Sequence, residues 1–207
     1  MPSQKKTQII FFGDSITELA VNPGGYIVRM DSMLKTNKLT DKYQFTGSGF
    51  SGNKVYDLYL RMEEDVIKKD PGIVVIFIGV NDVWHKRSAG TGTDADKFEK
   101  FYNAIILKLI SHNIKLIICT PAVIGEHTDF TNEQDGDLNL YCAIIRNIAA
   151  KYHLPLIDLR KAFLEYNLKN NTSNQASGIL TVDGVHLNAN GNQLVANEMW
   201  KAITSLR

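Results

Sequence analysis

Three residues of this chain have the types and the local setting that nucleophilic acyl transfer needs. Ser15 follows Gly13 and Asp14, and Asp183 and His186 lie three residues apart in a glycine-containing segment near the C-terminus. A serine hydroxyl is a poor nucleophile until an imidazole takes its proton, and a carboxylate fixes the tautomer of that imidazole. The combination favours Ser15 as nucleophile, His186 as general base and Asp183 as the acid that orients the ring.

Other residues could stabilise the oxyanion of such a reaction or contact its substrate. Gly52 ends a glycine-rich stretch and could donate its backbone N–H. Asn81 follows an apolar run and could donate its side-chain amide. Trp84 and His85 come shortly after Asn81, and His127 lies in a polar loop, so these three are candidates for the substrate pocket. Core packing of the tryptophan and plain solvation of the two histidines are open alternatives.

The elements that must position these residues follow from two alternating sequence periods. Apolar residues at three- and four-residue steps predict amphipathic helices, and short apolar or alternating runs between them predict strands. The strand-like runs are Thr7–Phe12, Tyr43–Thr46, Ile73–Ile78, Lys115–Cys119 and Leu154–Ile157. The helical stripes are Val55, Leu58, Tyr59, Met62 and Val66; Phe98, Phe101, Ile105 and Leu109; and Leu138, Tyr141, Ile144, Ile145 and Ile148. A last helix is predicted over Ala189–Ser205.

This alternation predicts an α/β fold in which a parallel sheet carries helices on both faces. Ligands of such sheets bind at the carboxyl ends of the strands. Ser15, Gly52 and Asn81 follow the first, second and third strand-like runs. The segment before the last helix must then bring Asp183 and His186 to the same edge of the sheet. Polar loops are expected at residues 86–94 and 125–136.

In their order along the chain, the segments around Ser15, Gly52, Asn81 and His186 resemble the sequence motifs of the SGNH, or GDSL-type, hydrolase family. The resemblance extends over residues 13–188. The resemblance implies a flavodoxin-like three-layer α/β/α sandwich with about five parallel strands. It also implies Ser15 as nucleophile, Asp183 and His186 as acid and base, and an oxyanion hole formed by Gly52, Asn81 and the N–H of Ser15. The chain departs from the family in having Ile16 where leucine is usual, and in the Gly-Ser-Gly sequence at residues 47–49.

The family resemblance further implies hydrolysis of carboxylic esters through an acyl-enzyme, without a cofactor. The sequence contains no large apolar lid that could hold a long acyl chain, which favours short acyl groups such as acetyl. The expected substrates are small-molecule or carbohydrate esters. Lysophospholipase and thioesterase activities, which also occur in the family, are the alternatives.

Composition argues against several other classes of protein. The formal net charge is +1 and the basic residues are scattered, whereas a nucleic-acid binder needs a concentrated cationic face. No stretch approaches the ~20 apolar residues of a membrane span, and no signal-peptide core is evident, so a cytoplasmic protein is expected. Cys119 and Cys142 show no C-x-x-C spacing and are expected to be buried thiols. A length of 207 residues suits a single domain over 1–207, and no pattern indicates its oligomeric state.

Two competing interpretations remain at this stage. Residues 47–52 fit the pattern G-x-G-x-x-G, which in a nucleotide-binding module would seat a pyrophosphate at a helix N-terminus. That loop normally follows the first strand, whereas here it follows the second. A metal-dependent hydrolase is also disfavoured, because the five histidines show no clustered ligand spacing, and no metal site is expected.

Overall fold

A five-stranded parallel sheet forms the centre of the fold in a computed structural model, which describes residues 6–206. The strand order is β2-β1-β3-β4-β5, and every neighbouring pair is parallel. The strands are β1 (Thr7–Gly13), β2 (Tyr43–Gly49), β3 (Ile73–Phe77), β4 (Lys115–Cys119) and β5 (Leu156–Ile157). Successive parallel strands require crossover connections, and the helices supply them.

Helices cover both faces of the sheet and make it the middle layer of three. They are α1 (Ser15–Leu19), α2 (Tyr26–Thr36), α3 (Val55–Asp65), α4 (Val80–Ser88), α5 (Ala95–Ser111), α6 (Asp135–Tyr152), α7 (Leu159–Asn170) and α8 (Ala189–Ser205). A short 3₁₀ helix spans Ile67–Lys69. Helices α3, α5 and α6 pack together, and α2 packs against α8. The predicted α/β/α sandwich with five parallel strands is therefore confirmed.

The alternation of side chains along each strand divides the apolar core in two. Ile9 and Phe11 of β1 enter the core beneath α2 and α8, whereas Ile10 and Phe12 enter the core beneath α3, α5 and α6. Strand β3 is buried at every position, as expected for a central strand covered on both faces. Cys119 and Cys142 are buried free thiols, as predicted.

The structure also differs from the sequence prediction in several elements. Helix α4 begins at Val80 and ends at Ser88, so the first residues of the loop expected at 86–94 are helical. Helices α1, α2, α4 and α7 were not anticipated from the periodicity. Tyr59, assigned to a buried stripe, is 39% exposed, because its ring meets Phe101 edge-on at the outer margin of the α3–α5 interface.

The glycine-rich stretch is mostly strand rather than a phosphate-binding loop. Gly47, Ser48 and Gly49 complete β2 and pair with β1. A Cβ atom at Gly49 would lie 2.1 Å from the backbone nitrogen of Glu18, so glycine is required there by the close approach of α1. The first two glycines of the pattern thus lie in a strand, Gly49 packed against α1, and only Gly52 lies in the loop between β2 and α3.

Candidate active site

Ser15 lies at the junction where β1 ends and α1 begins. The strand ends at Gly13, and Asp14 caps the helix by accepting the N–H of Ile16 on Oδ1 at 3.0 Å. Such a cap satisfies one of the free N–H groups at a helix N-terminus. Ser15 is the first residue of α1 and is 7% exposed, so its hydroxyl is presented at the N-terminus of a helix.

Asp183 and His186 lie on a turn that precedes α8. Thr181 and Leu187 form an antiparallel bridge, and the N–H of Val182 donates to the carbonyl of His186 at 2.8 Å. Asp183 Oδ1 accepts the backbone N–H of His186 at 2.7 Å, while Asp183 Oδ2 lies 2.7 Å from His186 Nδ1. The turn therefore holds the Asp183 carboxylate against the Nδ1 edge of the His186 imidazole.

The other edge of the imidazole reaches the serine. His186 Nε2 lies 3.0 Å from Ser15 Oγ, although the two residues are 171 positions apart in sequence. Partial burial raises the pKa of Asp183, but the hydrogen bonds from His186 outweigh it, so the pKa lies below the usual value. A charged Asp183 places the imidazole proton on Nδ1 and leaves the Nε2 lone pair facing the hydroxyl, which is the arrangement of a general base.

Gly52 lies in the loop after β2 and Asn81 in the first turn of α4 after β3, and these two strands flank β1. Gly52 has a φ of +77°, a conformation that glycine adopts without strain, and Asn81 is 1% exposed in the first turn of α4. Asn81 Nδ2 donates to the carbonyl of Asn53 at 3.1 Å, which links α4 to the loop after β2. In the described part of the chain, the N–H groups of Ser15 and Gly52 donate to no protein acceptor.

Arg61 of α3 joins the ends of β1 and β2. Its guanidinium donates to the carbonyls of Gly13 (2.7 Å) and Ser48 (3.1 Å) and to Asn53 Oδ1 (2.7 Å). It also pairs with Asp65 one turn along the helix. Arg61 thus fixes the end of β1, the end of β2 and the residue whose carbonyl holds Asn81. In the sequence, Arg61 is a polar residue of an amphipathic helix, and that pattern does not indicate this role.

Two buried carboxyl groups lie close to the serine. Burial raises the pKa of Asp14 to about 7, and the nearby Asp82 acts in the same direction. Burial likewise raises the pKa of Asp82 to about 6, although it accepts the N–H of Val55 at the start of α3. These acids brace the first turns of α1 and α3, and their ionisation is opposed by the apolar surroundings.

The three residues suggested for the substrate pocket fall in two places. The ring centroid of Trp84 lies 5.9 Å from that of His186, and His85 Cε1 would lie 3.9 Å from a Cβ atom at Gly52. Trp84 is therefore a neighbour of His186, and His85 is a neighbour of Gly52. His127 instead bonds through Nδ1 to the carbonyl of Asn174 and lines a separate depression of about 160 Å³. The other residues of that depression are Thr128, Phe130, Asp135, Asn139, Arg160, Leu164 and Leu168.

Two other features are absent from residues 6–206. No helix in that range is long and apolar enough to cross a membrane. Within the same range, no group of three or more histidine, cysteine, aspartate or glutamate side chains is arranged to hold a metal ion.

Comparison with known proteins places this geometry in a family. The family model for the GDSL-like lipase/acylhydrolase family matches residues 11–194. The acetylxylan esterase of Geobacillus stearothermophilus is 27% identical over 214 residues, covering 95% of this chain and 93% of the relative. An isoamyl acetate-hydrolyzing esterase of Schizosaccharomyces pombe is 26% identical, covering 97% of this chain and 77% of the relative.

Solved structures agree with the family assignment. The crystal structure of an acetyl xylan esterase, AlAXEase, superposes with a TM-score of 0.94 and 61% identity, covering 95% of this chain and 99% of that one. LAE5, an α/β hydrolase from a lake metagenome, has a TM-score of 0.84 at 24% identity, which shows a shared fold. This chain therefore belongs to the GDSL-like lipase/acylhydrolase family and is a carboxylic ester hydrolase.

Proposed function

We propose that this chain removes acetyl groups from esters, including acetylated carbohydrates, through a covalent acetyl-enzyme on Ser15. The observation that carries the proposal is the continuous pair of hydrogen bonds from Ser15 Oγ to His186 Nε2 and from His186 Nδ1 to Asp183. Nucleophile, base and orienting acid are within reach of one another before any substrate arrives. That geometry is the requirement for activating a serine hydroxyl.

The proposed reaction has two steps of acyl transfer. Ser15 Oγ attacks the ester carbonyl carbon while His186 Nε2 takes the hydroxyl proton. Collapse of the tetrahedral intermediate breaks the bond to the alcohol oxygen, which leaves with the proton from His186. Water then attacks the acetyl-serine and gives a proton to His186. As this second intermediate collapses, the bond between Ser15 Oγ and the acyl carbon breaks, His186 returns its proton to Oγ, and acetate leaves. Asp183 stabilises the imidazolium in both steps and stays ionised.

The oxyanion of each intermediate is assigned to three donors. The N–H groups of Ser15 and Gly52 have no protein acceptor in the described part of the chain, and they are the two backbone donors. The third is Asn81, whose amide uses one hydrogen on the carbonyl of Asn53 and has a second one for substrate. Fixed donors of this kind stabilise developing charge without reorganising during the reaction.

The assignment of the acyl group rests on what the relatives have in common. Acetylxylan esterases and isoamyl acetate-hydrolyzing esterases are named for very different alcohols, but both names specify acetate esters. The carbohydrate alcohol follows the acetyl xylan esterase that is 61% identical to this chain. Trp84, beside His186, offers an aromatic surface for a sugar ring.

A substrate series with a matched pair of variants tests the proposal. The chain should hydrolyse p-nitrophenyl acetate faster than the butyrate, octanoate and palmitate esters, and it should release acetate from acetylated xylo-oligosaccharides. Ser15→Ala should lower kcat by about 10⁶-fold, as loss of a serine nucleophile does elsewhere. Ser111→Ala should leave kcat unchanged, because that hydroxyl is exposed at the end of α5 and bonds only to the carbonyl of Lys108.

Active-site labelling gives an independent result. A fluorophosphonate probe should modify Ser15 and no other residue, as located by mass spectrometry of the labelled peptides. Substantial turnover by Ser15→Ala, or labelling elsewhere, would exclude Ser15 as nucleophile. Rates that rise with acyl length would favour a lysophospholipase, and a preference for acyl thioesters over acetate esters would favour a thioesterase.

A further inference from the structure

Glu126 is a buried carboxylate far along the chain from the residues of the proposed triad. It lies in the loop between β4 and α6 and is 1% exposed. None of the ion pairs found among residues 6–206 includes it. Burying an unpaired charge costs several kcal/mol unless hydrogen bonds compensate it. The hydrogen-bond partners of Glu126 therefore indicate its role.

Among residues 6–206, the hydrogen-bond partners of this carboxylate are three backbone N–H groups of one segment. Glu126 Oε2 accepts the N–H of Ile179 at 2.9 Å. Glu126 Oε1 accepts those of Leu180 at 2.6 Å and Thr181 at 3.1 Å. Three charge-assisted hydrogen bonds to consecutive residues fix the course of a short bent segment, residues 179–181, which lies outside the helices and the five strands.

That segment is the base of the turn that carries Asp183 and His186. Thr181, the last residue held by Glu126, forms the bridge to Leu187 on the returning side of the turn. The backbone adds two more links between the same loops: the N–H of Gly125 donates to the carbonyl of Gly184, and that of Glu126 donates to Ala176. The loop after β4 is thus the support on which the turn rests.

We propose that Glu126 is a positioning residue for the acid and base of the reaction. Its carboxylate holds residues 179–181 so that the turn places His186 Nε2 within hydrogen-bonding distance of Ser15 Oγ. The inference rests on the proposed roles of Ser15, Asp183 and His186. A glutamine could not replace Glu126, because its NH₂ group would face one of the three N–H donors and leave it without an acceptor.

The primary test is Glu126→Gln compared with Glu133→Gln. Glu133 lies in the same loop, but its side chain is 71% exposed and pairs with Arg87 on the surface. Glu126→Gln should lower kcat/KM for p-nitrophenyl acetate by about 10–100-fold, because displacing a catalytic group by about 1 Å has effects of this size. The rate of fluorophosphonate labelling should fall by the same factor, whereas Glu133→Gln should change neither rate more than about twofold.

A double-mutant cycle separates positioning from general loss of structure. In a His186→Ala background, Glu126→Gln should change the residual kcat/KM by less than about twofold, because the base it positions is already absent. Equal losses in both backgrounds would overturn the inference, as would full activity of the single variant. If Glu126→Gln does not fold, Glu126→Asp, which keeps the charge on a shorter side chain, goes through the same cycle with the same criteria.

Failure of the positioning role and failure of the proposed function give different results in these variants. If Ser15→Ala retained activity, the proposed triad would be wrong whatever Glu126 does. If Ser15→Ala and His186→Ala are both inactive and Glu126→Gln is fully active, the triad stands and the positioning role is wrong.

Discussion

At the scale of single residues, the side-chain amide of Asn81 is fixed through one of its two hydrogens. Asn81 is buried after β3, a strand adjacent to β1, and its Nδ2 donates to the carbonyl of Asn53 in the loop that also carries Gly52. The first bond fixes the orientation of the amide. An amide held in this way can donate its second hydrogen to an oxyanion without losing side-chain entropy during the reaction.

Replacing this amide should impair chemistry far more than stability. Asn81→Ala should lower kcat for p-nitrophenyl acetate by about 10²–10³-fold, the usual cost of one oxyanion donor. Asn170→Ala is the matched control, because its Nδ2 also donates to a backbone carbonyl, that of Tyr166, but on the exposed end of α7. Steady-state kinetics measure both. A kcat for Asn81→Ala equal to that of the control would make Asn81 a structural residue only.

The sequence singled out Ser15, Asp183 and His186, and the structure brings these three within hydrogen-bonding distance. They were found because a serine, an aspartate and a histidine in glycine-containing turns form a local pattern. Arg61 and Glu126 were missed, since each acts through backbone groups that are far away in sequence. A charged residue in a helix or a polar loop looks the same in the sequence whether its partner is water or a buried carbonyl.

At the scale of elements, helix α3 supports the loop that carries Gly52. Its Arg61 side chain is only 16% exposed, and the guanidinium contacts the ends of β1 and β2 together with Asn53. The planar group also lies over the rings of Phe12 and Phe50. A flat group with five donors can make this set of contacts, whereas a lysine ammonium cannot.

Arg61→Lys should therefore weaken both the fold and the reaction. We expect the free energy of unfolding to fall by about 2–4 kcal/mol, because several hydrogen bonds to a buried charge are lost. We expect kcat to fall about tenfold as the loop that carries Gly52 and Asn53 loosens. Urea denaturation and steady-state kinetics measure the two effects. Arg87→Lys, at an exposed ion pair, should change neither; wild-type kinetics for Arg61→Lys would contradict the supporting role.

The elements themselves were predictable where their periodicity was long. The four longer strands and the helices α3, α5, α6 and α8 each carry enough apolar repeats to identify them. Helix α1 has only five residues, and α4 starts two residues after Ile78. Both helices contain motif residues, Ser15 and Asn81, in segments too short or too polar to show a helical repeat. Helix termini that hold functional residues are set by caps and tertiary contacts, which periodicity does not encode.

At the scale of the whole molecule, the sheet separates two apolar cores. Asp14 is buried directly after the carboxyl end of β1, the strand that lies between β2 and β3 in the sheet. Burial there disfavours the charged form of the carboxyl group and raises its pKa to about 7. The folded protein therefore binds a proton more tightly than the unfolded chain, in which an aspartate has a pKa near 3.9. By linkage, this residue makes the fold less stable as pH rises from about 4 to above 7.

Asp14→Asn should remove that pH dependence while keeping an oxygen that can accept the N–H of Ile16. The difference in unfolding free energy, variant minus wild type, should rise between pH 4 and pH 8. Its change is at most about 4 kcal/mol, since one pKa unit corresponds to about 1.4 kcal/mol. Titrating groups that do not interact with Asp14 are common to both proteins and cancel. Urea denaturation at each pH measures the difference, with the exposed Asp41→Asn as control. A difference that stays constant with pH would show that Asp14 ionises as readily in the fold as in the unfolded chain.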